Sequence, residues 1–131
     1  MLIVAELRNI SEARLEDANV LWSSNRFDGA VYLCGYAIEM ALKARICETL
    51  RWEGYPSTGS EFRAFQSFRT HDLDVLLHLS GVEGAIKTHA LAEWSRVAGW
   101  DPEIRYNPIG RVTETAAQSM VESTAVLLSL L

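Results

Sequence analysis

Tyr32, Tyr36, Glu39 and Lys43 fall within one arc of about 60° on a helical wheel, a polar stripe in an otherwise apolar segment. Two phenols, a carboxylate and an ammonium in line could hold a charged ligand. On a central helix such polarity is costly unless it lines a cleft or a subunit contact. The plainer alternative is an exposed pair, since Glu39 and Lys43 stand i,i+4 with the acid first, worth about 0.3 kcal/mol. Further along, His71, Asp74 and His78 repeat at i, i+3 and i+7 and carry ligand types suited to a transition metal. No second helix supplies partners for them, so they read as a solvated face with His71 at a helix start, and no metal or cofactor is assigned. His89, with Glu93 four residues on, reads as a half-buried, hydrogen-bonded histidine.

Ten of the 12 basic residues are arginine, the side chain suited to forked contacts with phosphate or carboxylate. Arg63, Arg69, Arg105 and Arg111 lie on connectors, where they either meet around a phosphate or simply solvate the surface. No glycine-rich phosphate loop and no serine nucleophile turn occurs, which sets aside the standard mononucleotide and hydrolase readings.

These residues need a scaffold. The 131 residues, 49% hydrophobic and 22% charged, suit a single domain spanning 1–131. A net charge of −5 excludes a whole-molecule electrostatic footprint for nucleic acid and leaves only a local patch. Cys34 and Cys47 lie about 20 Å apart along one helix, beyond disulfide reach, and are expected as free buried thiols in a reducing cytoplasm. The first residues lack a basic signal region. The apolar run 125–131 is shorter than the roughly 20 residues a bilayer needs, so no membrane association is expected.

Glycine and proline punctuation divides the chain into helices without strand alternation. The first runs from about Ser11, as N-cap, to Ser24, with an alternative start at Val4, a stripe of Leu15, Ala18, Leu21 and Trp22, and a stop at Asn25. The second, Phe27 to Arg51, is apolar at Phe27, Ala30, Val31, Cys34, Ala37, Ile38, Ala41 and Leu42. Leu33, Met40 and Ala44 widen that face beyond half the circumference, which places the helix at the centre of a bundle. Gly35 costs about 1 kcal/mol relative to alanine there, so something packs closely on it, most simply a neighbouring helix.

Glu53 to Glu61 reads as a loop and Glu61 to Arg69 as an aromatic connector. Thr70 caps a third helix that ends before Gly81 and turns Leu73, Leu76 and Leu77 inward. A fourth covers Val82 to Ala98, Trp100 to Gly110 connects, and a last helix over Gly110 to Leu130 buries Val112, Ala116, Met120, Val121, Leu127 and Leu128. Trp22, Trp94 and Trp100 are expected in the core. The expected fold is all-α, an antiparallel four- to five-helix up-and-down bundle. Wide apolar faces on several helices imply a symmetric homodimer.

The stretch RFDGAVYLCGYAIEMALKAR at Arg26 to Arg45, THDL at Thr70 to Leu73 and EIRY at Glu103 to Tyr106 resemble, in order and spacing, the HEPN family, named for a nucleotide-binding domain of higher eukaryotes and prokaryotes. The similarity runs from about Ala18 to Leu128. The resemblance implies an antiparallel helical bundle, frequent homodimers, and frequent association with minimal nucleotidyltransferases in two-gene modules of toxin–antitoxin type. Many members resemble metal-independent ribonucleases, whose cleavage motif is an arginine followed after four to six residues by a histidine. This chain departs from that motif. Gln66, Phe65 and Ala64 stand at the required positions before His71, Leu73, Asp72 and His71 before His78, and Gly84, Glu83 and Val82 before His89.

The leading expectation is therefore a non-catalytic binding module. Tyr32, Tyr36, Glu39, Lys43, His71 and Arg105 share one polar cleft that takes a nucleotide, RNA or a partner nucleotidyltransferase. The alternatives are a ribonuclease built on Arg69, His71 and Arg105, in which the histidine transfers protons beside the cations, and a purely structural dimerisation domain.

Overall fold

A computed structural model describes residues 1–131. The long apolar segment forms α2, Phe27–Leu50, and its residues Cys34, Ile38, Ala41, Leu42, Ile46 and Cys47 are buried together at the centre of the core. Against it lie α1 (Val4–Ser23), α3 (Leu73–Ser80) and α6 (Glu114–Leu130), while α4 (Glu83–His89) and α5 (Leu91–Val97) link α3 to α6, with α5 packed on α6. The fold is an all-α bundle of six helices. The expected fourth helix is two, because Ala90 leaves helical geometry at φ −145° and the chain turns there. No helix is long and apolar enough to cross a membrane.

Several boundaries moved for identifiable reasons. Ser11 is not an N-cap: it is buried inside α1, and its hydroxyl donates to the Ala37 carbonyl at 2.7 Å, tying α1 to α2. Asn25, at φ 60°, does end the first helical segment in the left-handed region. Asp72, rather than Thr70, caps α3 by accepting from the Val75 amide at 3.1 Å, and Thr70 in turn accepts from the Asp72 amide. The last helix begins at Glu114 behind a Thr113 cap, so Val112 lies outside it, and Ala117 rather than Ala116 faces the core. A two-residue antiparallel pairing of β1 (Leu2–Ile3) with β2 (Gly54–Tyr55) was not expected, since two residues are too few to show alternation.

Both cysteines are free and buried. Trp94 and Trp100 are core residues, whereas Trp22 is only half-buried. Gly35 is explained by the indole of Trp100: a Cβ at that position would lie 1.8 Å from the ring. The close approach is by a connector side chain, not by a neighbouring helix. It seats the 3-10 turn Pro102–Tyr106 against α2. The following residues are held by Asp28, whose carboxylate accepts from the amides of Gly110 at 2.6 Å and Val112 at 3.0 Å.

Two expectations follow. Gly35→Ala forces the Trp100 ring off α2 and lowers unfolding free energy by about 1–3 kcal/mol in denaturant titration, while Gly59→Ala, in open space, does not. The two amides that bond Asp28 hold its carboxyl below the ordinary 3.8. A lowered folded pKa gives stability that is present above 3.8 and lost as pH falls through the folded value. Melts of Asp28→Ala therefore fall below wild type at neutral pH, and the difference closes only under acid conditions below 3.8.

Candidate functional site

Three elements meet at the polar side of α2. Asp72, by capping α3, and the 3-10 turns preceding it fix residues 69–71, and the Trp100 contact fixes the turn that carries Arg105. Between them opens a cavity of about 730 Å³ lined by Tyr32, Tyr36, Arg69, His71, Asp101 and Arg105, among others. A smaller depression of about 300 Å³ adjoins it, with Lys43 and Tyr55 in its wall and Arg69, Thr70 and His71 in common.

Glu39 lies beneath both. It is 1% exposed, so it is not half of a surface pair. Its Oε1 meets Nδ1 of His71 and stands 3.7 Å from Nζ of Lys43. A carboxylate on Nδ1 selects the tautomer with its proton on that nitrogen and turns Nε2 outward. The His71 side chain is 63% exposed, and no protein group bonds to its Nε2. Lys43 is largely buried over the Tyr55 ring, 5.1 Å from its centroid. Burial lowers its pKa, with Glu39 acting in the opposite direction. The Tyr55 hydroxyl donates to the Phe68 carbonyl at 2.6 Å and so ties the aromatic connector to this wall.

On the other side, the Tyr32 and Tyr36 hydroxyls lie 3.4 Å apart and their rings meet edge to face. The hydrogen bond to Tyr32, then burial, pushes Tyr36 up to about 12. Arg105 donates to the Pro102 carbonyl at 2.8 Å and stacks 4.7 Å over the Tyr106 ring. Arg69 lies over Phe62 and has no carboxylate partner.

The acids at the rim are engaged. Asp72 caps α3, Asp101 accepts from the Glu103 amide at 2.7 Å, and Glu103 pairs with Arg105 at 3.4 Å. The lining thus combines two guanidiniums, an imidazole nitrogen and two phenols with the carboxylates of Asp72, Asp101 and Glu103, and Arg105 is already paired with Glu103. Arg69, without a carboxylate partner, is the guanidinium of that set placed to take an anionic group.

Four of the six residues expected in one cleft, Tyr32, Tyr36, His71 and Arg105, line this cavity, while Glu39 is buried behind His71 and Lys43 stands in the adjoining depression. Arg69 joins them. The ribonuclease alternative had already grouped it with His71 and Arg105, whereas Tyr55, the surface under Lys43, had no sequence signal at all. Arg63 lies outside both cavities, and Arg111 lines a separate depression with Asp28 and Arg105. The histidine repeat does not converge: Asp74 accepts from the Trp94 indole at 3.0 Å, His78 pairs with Glu83 at 3.3 Å, and no group of three ligands is placed to hold a metal. His89 is exposed and makes no hydrogen bond, contrary to its expected half-buried role, because it ends α4 on the solvent side.

An all-helical domain with a polar cleft beside its central helix is the class that fold and site define. The family model for the HEPN domain matches residues 4–131, so the chain belongs to the HEPN domain family. No curated protein and no solved structure matches it.

The Glu39–Lys43 pair makes a stability prediction. Glu39→Leu leaves an unpaired, largely buried ammonium and costs about 3 kcal/mol, whereas Glu39→Leu with Lys43→Met regains most of the loss. Denaturant titration of the single and double variants checks this. Equal losses in both would show the pair to be unnecessary to each other.

Proposed function

We propose that this HEPN-family chain is a non-catalytic binding module whose cleft takes a nucleotide or an RNA segment through its phosphate. The observation that carries the reading is the meeting of Arg69, His71 and Arg105 around one cavity, where Arg69 has no carboxylate partner although Asp72, Asp101 and Glu103 share the lining. Charge-assisted, forked contacts from arginine are the strong form of phosphate recognition, and Tyr32 and Tyr36 supply ring and hydroxyl contacts beside it. Net charge is negative overall, so the attraction is local.

The module works as a homodimer, or with a minimal nucleotidyltransferase in a two-gene module of toxin–antitoxin type. The support is the segment next to the cleft, where Tyr106 is 73% and Ile109 96% exposed. Apolar side chains so placed are better covered than solvated. The free thiols support a cytoplasmic setting.

A second reading has its own observation. A histidine held by a buried carboxylate, with its other nitrogen facing a cavity flanked by arginines, has the parts of a proton-transfer centre for metal-independent RNA cleavage. In that reading His71 takes the proton of the 2′-hydroxyl as its oxygen bonds to phosphorus, and the P–O5′ bond breaks to leave a 2′,3′-cyclic phosphate. The imidazolium returns the proton to the departing 5′-oxygen, Glu39 orients the ring, and Arg69 and Arg105 stabilise charge on the phosphorane.

Calorimetric titration with adenosine monophosphate and a short single-stranded RNA separates the readings. Arg105→Ala and Arg69→Ala are expected to weaken binding about tenfold each, the loss of roughly 1.4 kcal/mol of charge-assisted contact, without changing the melting temperature. Unchanged binding in both leaves only a structural dimerisation domain. Incubation of RNA with chelator present leaves it intact under the binding reading. Cleavage lost in His71→Ala would establish the ribonuclease instead.

A further inference from the structure

The main cavity carries more acid than base. Asp72, Asp101 and Glu103 line it together with Arg69 and Arg105, so with a neutral His71 its carboxylates outnumber its guanidiniums. Asp72 and Asp101 are turned to the amides of Val75 and Glu103, and Glu103 is paired with Arg105. Their charge nevertheless stays beside any ligand. An anion drawn in by the unpaired Arg69 meets these carboxylates as well. One more positive charge restores the balance, and His71 is the lining residue able to supply it.

The groups around His71 are of other types. Behind the ring, on α2, the Glu39 carboxylate and the Lys43 ammonium stand 3.7 Å apart and offset each other. The same helix brings Tyr32 and Tyr36, the connector Arg69, the start of α3 Asp72, and the 3-10 turn with its cap Asp101, Glu103 and Arg105. Carboxylates, phenols and guanidiniums ordinarily titrate outside the interval from about pH 5 to 8, and imidazole inside it. His78 and His89 line neither this cavity nor the depression beside Lys43. The placement of the ring also suits a change of charge. Nδ1 donates to Glu39 whether the imidazole is neutral or protonated, so a proton added at Nε2 arrives on the cavity side without breaking that contact. Nε2 has no protein acceptor, which leaves the added proton for a ligand oxygen.

We infer that the cleft takes its anion together with a proton and that the proton sits on His71, so that falling pH loads the site and rising pH empties it. The inference rests on the phosphate-binding reading of the cleft and adds its regulation. Linkage makes the effect reciprocal: a bound anion in turn holds the proton on His71 to higher pH.

The test needs a ligand that does not itself titrate. A phosphate monoester gains a proton close to neutrality, so the methyl ester of adenosine monophosphate and a 2′-O-methyl dinucleotide, both phosphodiesters, serve as probes. Calorimetric titration of the full chain between about pH 5 and 8 is expected to show affinity rising about tenfold as pH falls. Runs in buffers of different ionisation enthalpy are expected to show proton uptake on binding. That count comes from the unaltered chain and holds even if a variant fails to fold. His71→Gln still donates to Glu39 but cannot titrate, and is expected to bind weakly at every pH. His71→Lys carries a fixed charge and is expected to bind at the alkaline end as the wild type does at the acid end. A wild-type affinity indifferent to pH, or a pH dependence that survives in His71→Gln, overturns the proton linkage alone. Failure of both diesters to bind at any pH overturns the phosphate-binding reading and the linkage with it.

Discussion

Glu39 is a carboxylate with almost no contact with water, on the most buried helix of the molecule. Leaving such a charge unpaired costs several kcal/mol, so the surrounding chain is constrained to bring it partners. Lys43 comes from one turn further along α2, and His71 from the segment that follows the aromatic connector. The second contact crosses 32 residues of sequence and pins the THDL turn to α2. From that point the cap at Asp72 starts α3, and Arg69 is set at the mouth of the cleft. Fold and candidate site therefore share one interaction: the group that secures the loop also orients the imidazole.

The other side of the cleft depends on a steric condition rather than an electrostatic one. Only a residue without a Cβ lets the Trp100 indole lie on α2, and Gly35 is that residue. The indole packs against Tyr32 and Tyr36 and carries the Arg105 turn with it. Asp28 then takes up the amides of the descending chain, so that the connector runs along the end of α2 instead of into solvent. The mid-helix glycine is weak as a helix former and is retained for what it admits.

Membership in the HEPN domain family accounts for the helical frame and for the order of the three motifs. It does not by itself decide what the cleft does here, because function resides in the site and this chain lacks the arginine-to-histidine spacing of the cleaving members. What the chain has instead is a histidine whose tautomer is set by a buried acid and whose neighbouring arginines come from separate segments. The proposed phosphate recognition needs those features as they stand, and the alternative proton transfer needs in addition a reacting hydroxyl at Nε2.

The periodicity of residues 27–51 determined the central helix, because an apolar arc that wide has nowhere to go but the core. Asn25 and Gly81 marked turns through their tolerance of positive φ, and the thirteen-residue separation of Cys34 and Cys47 kept the thiols free. The stripe of Tyr32, Tyr36, Glu39 and Lys43 was legible as a single line on one helix for the same reason of period. Its depth was not. A wheel assigns direction and says nothing of what covers that direction, and Glu39 proved buried because the His71 turn and Tyr55 close over it. Ser11 looked like a cap because serine is a good one, and only α1 against α2 showed its hydroxyl reaching Ala37. The meeting of Arg69, His71 and Arg105 and the seat of Trp100 on Gly35 join residues distant in sequence. Such contacts leave no local periodicity, so they were decided only when the chain folded.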